Sequence, residues 1–392
     1  MDFGTEALKL HEANKGKLAV DSKIHIKTGQ DLSTAYTPGV AAPCVEIYKD
    51  KSAVWRYTAK SNLVAVVSDG SAVLGLGDIG ALAAIPVMEG KAVLFKEFAD
   101  VDAFPICLDT KNPDEIIKIV ENIAPCFGGI NLEDIASPKC FYIEKILDEK
   151  LDIPVFHDDQ HGTAIVVLAA LINALKFVKK DIAKIRVVLN GPGSAGTAII
   201  RMLIDAGVND ITACDEGGII SEKRTGLTEH KRLLCKITNK RGLDGNLEDA
   251  LKESDVFIGV SVADVLSERM IGSMAPSPVI FAMANPNPEI SYERAIKAGA
   301  AVVGTGRSDM PNQVNNVLAF PGIFRGALDV GAKSINKEMK LAAAYAIAGT
   351  IDDKKLRADY IIPSALDKNI AYDVASAVKK AAIKSGVCRN EN

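Results

Sequence analysis

No cluster of lysines and arginines runs through this sequence, and its formal net charge is −4. Neutralising a phosphate backbone needs clustered cations, so nucleic acid is not expected as a partner. Cysteine is sparse and unpatterned, with seven residues and no CxxC pair. That usage argues against a disulfide framework and for reduced thiols in a cytoplasmic setting. The longest apolar stretch, AIVVLAALINAL (164–175), falls short of the roughly 20 residues a bilayer crossing needs, so no membrane association is expected. The opening MDFGTEALKL carries acids and no apolar h-region, so no secretory leader is expected. Internal repeats and low-complexity linkers are lacking as well. What remains is 392 residues, 48% hydrophobic and 24% charged, enough to bury two ordinary cores.

The first third mixes strand and helix patterns. NLVAVVSDG (62–70), KAVLF (91–95) and AFPICLD (103–109) read as strands, being short apolar runs that end in polar or turn residues. EALKLHEANK (6–15), PDEIIKIVENIAPCF (113–127) and SPKCFYIEKILDEK (137–150) read as helices, the last with Ser137 as N-cap and Pro138 in the first helical position. From about residue 152 strands and helices alternate, which implies a parallel sheet covered on both faces. The expected fold class is α/β. A smaller N-terminal α/β domain (1–155) would hold substrate and metal. A doubly wound Rossmann-type parallel-sheet domain (156–325) would bind a dinucleotide, and C-terminal helices (326–392) would pack back on the first domain.

Two stretches, GLGDIG (75–80) and GPGSAG (191–196), share the glycine spacing of a dinucleotide loop. Such a loop must leave a strand directly and open a helix whose N-terminus faces the pyrophosphate. An acid about 20 residues on then meets the ribose. KIRVVLNGPGSAGTAIIRMLIDAGVNDITACD (184–215) satisfies each condition. Its strand runs into Gly191, Gly193 and Gly196 follow, Ser194 and Ala195 open the helix, Gly207 can close it, and the next strand ends on Asp215. These residues are expected to bind the cofactor. GLGDIG stands five residues beyond its strand, and Pro86 is expected to interrupt the helix after it. Its glycines are expected to let backbone approach a substrate or the nicotinamide. Asp215 favours NAD, because a carboxylate accepts from both ribose hydroxyls and repels a 2′-phosphate. NADP is the alternative, since Lys223 and Arg224 could meet such a phosphate.

Glu133 and Asp134 in INLEDI (130–135), and Asp158 and Asp159 in VFHDDQHGTA (155–164), form an acidic set at strand ends. Hard carboxylates suit Mg²⁺ or Mn²⁺. His157 and His161 are four apart, but zinc is disfavoured because the stretch reads as a loop ahead of a helix and lacks the Glu of H-E-x-x-H.

Taken together, AYTPGVAAP (35–43), SDGSAVLGLGDIG (68–80), GKAVLFKEFADVDAFPI (90–106), NLEDI (131–135), HDDQHGTA (157–164), NGPGSAGTA (190–198), FAMANPNPE (281–289) and PNQVNNVLAFPGIFRGALDV (311–330) resemble the malic enzyme family in its compact prokaryotic form. The resemblance implies oxidative decarboxylation of (S)-malate to pyruvate and CO₂, with reduction of NAD or NADP and a divalent metal, Mg²⁺ or Mn²⁺. It implies Tyr36 as general acid and Lys91 as general base, with Asp158 as the partner of Lys91. Glu133, Asp134 and Asp159 would bind the metal. Asn285 and Asn316 would contact nicotinamide or substrate, and Thr163 and Asn315 join the candidate contacts. A base lysine needs its pKa lowered by burial and neighbouring positive charge, which the metal would supply. The metal would also polarise the new ketone. Larger members carry an arginine where this chain has Ala72, and Arg307 or a partner residue would have to substitute. A homodimer is expected. Two rival readings are another NAD-dependent dehydrogenase on the same architecture and a non-catalytic nucleotide sensor. The acids speak against the first, and the intact set of catalytic candidates against the second.

Overall fold

The computed structural model describes residues 3–73 and 75–389. Its first sheet contains β1 (Leu63–Ser68), β2 (Asp102–Cys107), β3 (Gly129–Leu132) and β4 (Val155–His157), in the order β2-β1-β3-β4. All its pairs are parallel. The second sheet contains β5 (Arg186–Asn190), β6 (Asp210–Asp215), β7 (Gly218–Ile219), β8 (Val256–Gly259), β9 (Val279–Ala282) and β10 (Val302–Thr305). Its order is β10-β9-β8-β5-β6-β7, and only the short β7 runs antiparallel. The central strands are buried nearly throughout, which is why they read as unbroken apolar runs rather than as alternating ones.

Strand order reverses twice, between β1 and β3 and between β5 and β8. Open α/β sheets bind ligands outside the carboxyl ends of strands at such points. Both candidate sites lie there.

Four expectations are corrected. KAVLF is not a strand, and Lys91 does not begin one: the segment lies inside a helix over Gly80–Ala99. Ala81, Ala84, Met88, Lys91, Ala92, Phe95 and Ala99 are its buried positions, so a helical stripe overrides the local preference of Val, Leu and Phe for strands. Pro86 does not interrupt that helix. It falls on the exposed face, where solvent can take the carbonyl it leaves unpaired. The helix expected from Ser137 begins at Lys139, with Pro138 at its N-cap and no side-chain cap. Asp158 and Asp159 are not in a loop ahead of a helix but form the first turn of Asp158–Val178, where acids oppose the positive helix end.

Helix Asp158–Val178 passes by length and composition for a membrane span, yet 67% of its apolar window is buried inside the molecule. It begins at the first sheet and packs on Ser194–Asp205 of the second, and on Lys337–Gly349. Helix Phe320–Asp329 returns to pack on Gly80–Ala99 and on Asn369–Ser385. One continuous core joins these elements. At its centre Phe95 meets Phe320 and Phe324 edge-on at centroid distances of 4.7 and 5.3 Å, and Phe156 meets Phe324 at 5.9 Å.

Candidate active site

The parallel register that pairs Leu132 with His157 brings Glu133 beside Asp158, one step beyond the last paired residues. Lys91 reaches the same place from helix Gly80–Ala99. Its Nζ lies 2.9 Å from Glu133 Oε1 and 2.7 Å from Asp158 Oδ2. The Phe320 ring lies 4.4 Å from that ammonium. Asn316 Nδ2 donates to Asp158 Oδ2 at 2.5 Å, and Asn131 Nδ2 to Glu133 Oε2 at 2.9 Å. A Cβ at Gly162 would fall 1.9 Å from Asp158 Oδ1, so the glycine of HDDQHG leaves room for this carboxylate.

Glu133, Asp134 and Asp159 each offer an oxygen, all within 4.8 Å of one another. The Asp134 backbone N–H donates to Asp159 Oδ2 at 2.8 Å. Asp134 itself has φ +53°, a conformation that Asp tolerates better than most residues. Its buried Oδ2 accepts no hydrogen bond. Burial, then the charges of Asp159 and Glu133, push the Asp134 carboxyl up to about 8. Burial foremost raises Asp158 to about 7 and Asp159 to about 6. Burial alone would lower Lys91, but Asp158, Glu133 and Asp159 override it and hold the lysine well above its ordinary value. The expected lowering is therefore reversed, because the groups facing Lys91 are carboxylates. Four carboxyls share the pocket with one ammonium.

Beneath the cluster, Glu144 stands half-buried on helix Lys139–Lys150. It accepts from the His157 N–H at 3.0 Å and from Gln160 Nε2 at 3.3 Å, and lies 2.9 Å from His161 Nε2. Burial opposes its ionisation, but His161, Lys340 and His157 bring its carboxyl down to about 2. Glu144 thus grips the helix turn that carries both aspartates. His157 is fully buried, and burial lowers its pKa.

At the second switch point a cavity of about 1030 Å³ opens along Asn190, Gly191, Gly193, Asp215, Lys231 and Ser261. Gly191 has φ +95°, and a Cβ at Gly196 would meet the Gly191 carbonyl oxygen at 2.3 Å. Ser194 and Ala195 open the helix Ser194–Asp205 as expected. Asp215, in contrast, is not free at both oxygens. Arg224 Nη1 lies 2.7 Å from Oδ1 and Lys231 Nζ 2.6 Å from Oδ2. Lys223 turns away to Asp244. His230 stacks on Phe141 at 4.7 Å across the cleft, and its Nε2 lies 2.7 Å from the Thr197 hydroxyl.

The profile of the malic enzyme N-terminal domain matches residues 14–148, and that of the malic enzyme NAD binding domain matches 160–383. The chain belongs to the malic enzyme family. It is 58% identical over 390 residues to the bifunctional malic/malolactic enzyme of Bacillus subtilis, covering 99% of this chain and 95% of that protein. It is 56% identical to the NAD-dependent malic enzyme of Geobacillus stearothermophilus, over 96% of this chain and 79% of that one. The crystal structure of malic enzyme from Pyrococcus horikoshii superposes with a TM-score of 0.95 at 49% identity, covering 100% of this chain and 93% of that one.

Within this malic enzyme fold, Lys91, Glu133, Asp134, Asp158, Asp159 and Asn316 meet at one place. Tyr36 does not join them. It caps helix Gly29–Ala35 and is 67% exposed. Asn285 is exposed beside Gly306, and Thr163 sits half-buried on the first turns of Asp158–Val178. Asn315 caps the short turn Asn316–Leu318. Arg307, the candidate substitute for the arginine missing at Ala72, is half-buried and paired with Asp309 at 2.6 and 2.8 Å. Two residues escaped the sequence reading. Glu144 stands at helical spacing among buried Cys140, Ile143 and Leu147, so a charge on an apolar stripe was the available signal. Lys231 gave no local signal, because its partner Asp215 is remote in sequence.

Proposed function

We propose that the chain oxidatively decarboxylates (S)-malate to pyruvate and CO₂, with NAD or NADP as hydride acceptor and Mg²⁺ or Mn²⁺ as cofactor. The convergence of Lys91 with Glu133, Asp134 and Asp159 carries this reading. The donor set fits a hard cation: it offers carboxylate oxygens only, one of them buried without a partner, and its charge is unbalanced. A divalent cation held by Glu133, Asp134 and Asp159 would draw off the negative charge that keeps Lys91 protonated and polarise the C2 oxygen of malate. Lys91 Nζ takes the proton of the C2 hydroxyl as the C2 hydride leaves. Asp158 and Asn316 aim the amine, and the Phe320 ring keeps water from its far side. Tyr36 returns a proton to C3 after CO₂ departs. Residues 1–155 act as the substrate and metal unit, 156–325 as the dinucleotide unit, and 326–392 as helices returning to the first. Asn285 and Thr163 serve the cofactor side. The protein works in the cytoplasm on small molecules.

The decisive assay follows absorbance at 340 nm with malate and each cofactor. Formation of reduced cofactor should require both malate and metal, and chelator should abolish it reversibly. Metal-independent turnover of another hydroxy or amino acid would overturn the reading.

The protein acts as a homodimer in which Tyr36 serves the partner's site. Helices Phe3–Asn14, Gly29–Ala35 and Ala41–Lys49 bury no residue in their own chain, and Val20, Ile24, Ile26, Val45 and Tyr48 beside or within them are exposed. Such a surface asks for a cover. Mixing Tyr36→Phe with Lys91→Ala chains should therefore restore about a quarter of parental activity, since half the dimers are mixed and each regains one site. No recovery on mixing would place both residues in one chain's site.

Lys231 and Arg224 offset the charges of Asp215 and of Glu216, which lies 3.3 Å from Lys231, and both cations stand where a 2′-phosphate would meet them. NADP should support turnover, and Lys231→Ala should lower kcat/KM for NADP about tenfold, the loss of a charge-assisted contact, with a smaller change for NAD. Equal losses for both cofactors would contradict this assignment.

A further inference from the structure

Three loops of the second sheet meet around one carboxylate. Glu289 is fully buried. Its Oε1 accepts the Ser261 N–H at 2.8 Å and the Ser261 hydroxyl at 3.0 Å, and its Oε2 accepts the Ala284 N–H at 3.0 Å. Its backbone carbonyl accepts the Leu266 N–H at 3.0 Å. The Ser261 hydroxyl, having donated to Glu289, accepts from Asn190 Nδ2 at 2.8 Å. The segments that follow β8 and β9 are thereby tied to the end of β5, around the crevice where the dinucleotide loop begins.

Two glycines record how closely these parts press. A Cβ at Gly259 would lie 2.4 Å from the Glu289 carboxyl carbon, so β8 must end in glycine for the carboxylate to stand there. A Cβ at Gly191 would lie 2.6 Å from the Val260 carbonyl oxygen and 2.9 Å from Ser261 Cβ. The segment that Glu289 holds is thus pressed against the first glycine of the phosphate loop. Three N–H and O–H donors converge on the two carboxyl oxygens, so each segment depends on this one side chain for an acceptor.

We infer that Glu289 is a positioning residue for the dinucleotide. It clamps Val260–Ser261 onto Gly191 and fixes Ala284, the neighbour of Asn285, on the other side of the same crevice. It acts through Ser261, which lines the cavity. The inference rests on the dinucleotide reading of this cleft.

Glu289→Gln tests it. The amide puts N–H groups where one carboxylate oxygen accepted, so one of the two segments loses its acceptor. NADH fluorescence titrated without malate or metal should show Kd raised about tenfold. Ser261→Ala should raise it in the same direction by about threefold, since it removes the hydroxyl and leaves the N–H. Mn²⁺ affinity should stay near the parental value in both variants, even where the buried N–H left without an acceptor in Glu289→Gln lowers Tm. NADH binding within twofold of the parent in Glu289→Gln would overturn the inference while leaving the enzyme reading intact. So would a raised Kd joined by a fall in both Mn²⁺ affinity and Tm, which marks general loosening. Should Glu289→Gln fail to fold, an unchanged Kd in Ser261→Ala overturns it. A parent protein that binds no NADH would sink both the inference and the reading beneath it.

Discussion

Lys91→Ala is expected to lower kcat for malate by at least about 100-fold, as removal of a general base does. Lys91 alone among the described residues places an amine between Glu133 and Asp158. Glu133 and Asp158 each accept from a second donor, Asn131 and Asn316, which holds them beside the amine. NADH binding should persist, since the cavity at Gly191 and Asp215 is lined by other elements. A small primary amine in the buffer should restore part of the rate by entering the vacated space. Stopped-flow measurement of reduced cofactor separates this chemistry from product release. A rate within threefold of the parent would remove Lys91 from its role.

Asp159→Asn is expected to raise the Mn²⁺ concentration for half-maximal activity by at least about 100-fold. Outer partners of a metal site already cost 10–100-fold when changed, and a direct ligand should cost more. Asparagine keeps an acceptor for the Asp134 N–H, which Asp159 Oδ2 now takes at 2.8 Å, so the local backbone should hold. What disappears is one negative charge from a set whose three oxygens lie within 4.8 Å. Saturating metal should recover part of kcat, because Lys91 keeps its direct contacts with Glu133 and Asp158. Titration of Mn²⁺ against both activity and direct binding checks the two limbs. An unchanged metal requirement would exclude Asp159 as a ligand.

The second sheet was legible because its strands are buried on both faces and its glycine loop follows a strand directly. The first half was harder. KAVLF has strand-like composition, and its helical stripe emerges only over Ala81 to Ala99. The acidic motifs marked the metal-binding candidates, but that Glu133 would stand beside Asp158 follows from strand register, which no local pattern encodes. Asp215 and Arg224 were both marked in the sequence, whereas their pairing, and Lys231 from a short helix, left no periodic signal. Tyr36 was found by motif alone. Its surroundings could not be read, since the face that carries it is left open in a single chain.

Lys91 rests on Phe320, and Asp158 is steered by Asn316, two residues that follow the last strand of the second sheet. The candidate pocket is therefore walled by segments far apart in the sequence. A fragment ending near residue 150 would carry the base and part of the acidic set without the aromatic floor or the guiding amide. Reassembly from separately expressed halves would have to rebuild the phenylalanine junction before any turnover returned. The two profiles that match this chain thus mark stretches of ancestry, not devices that could be traded independently between enzymes.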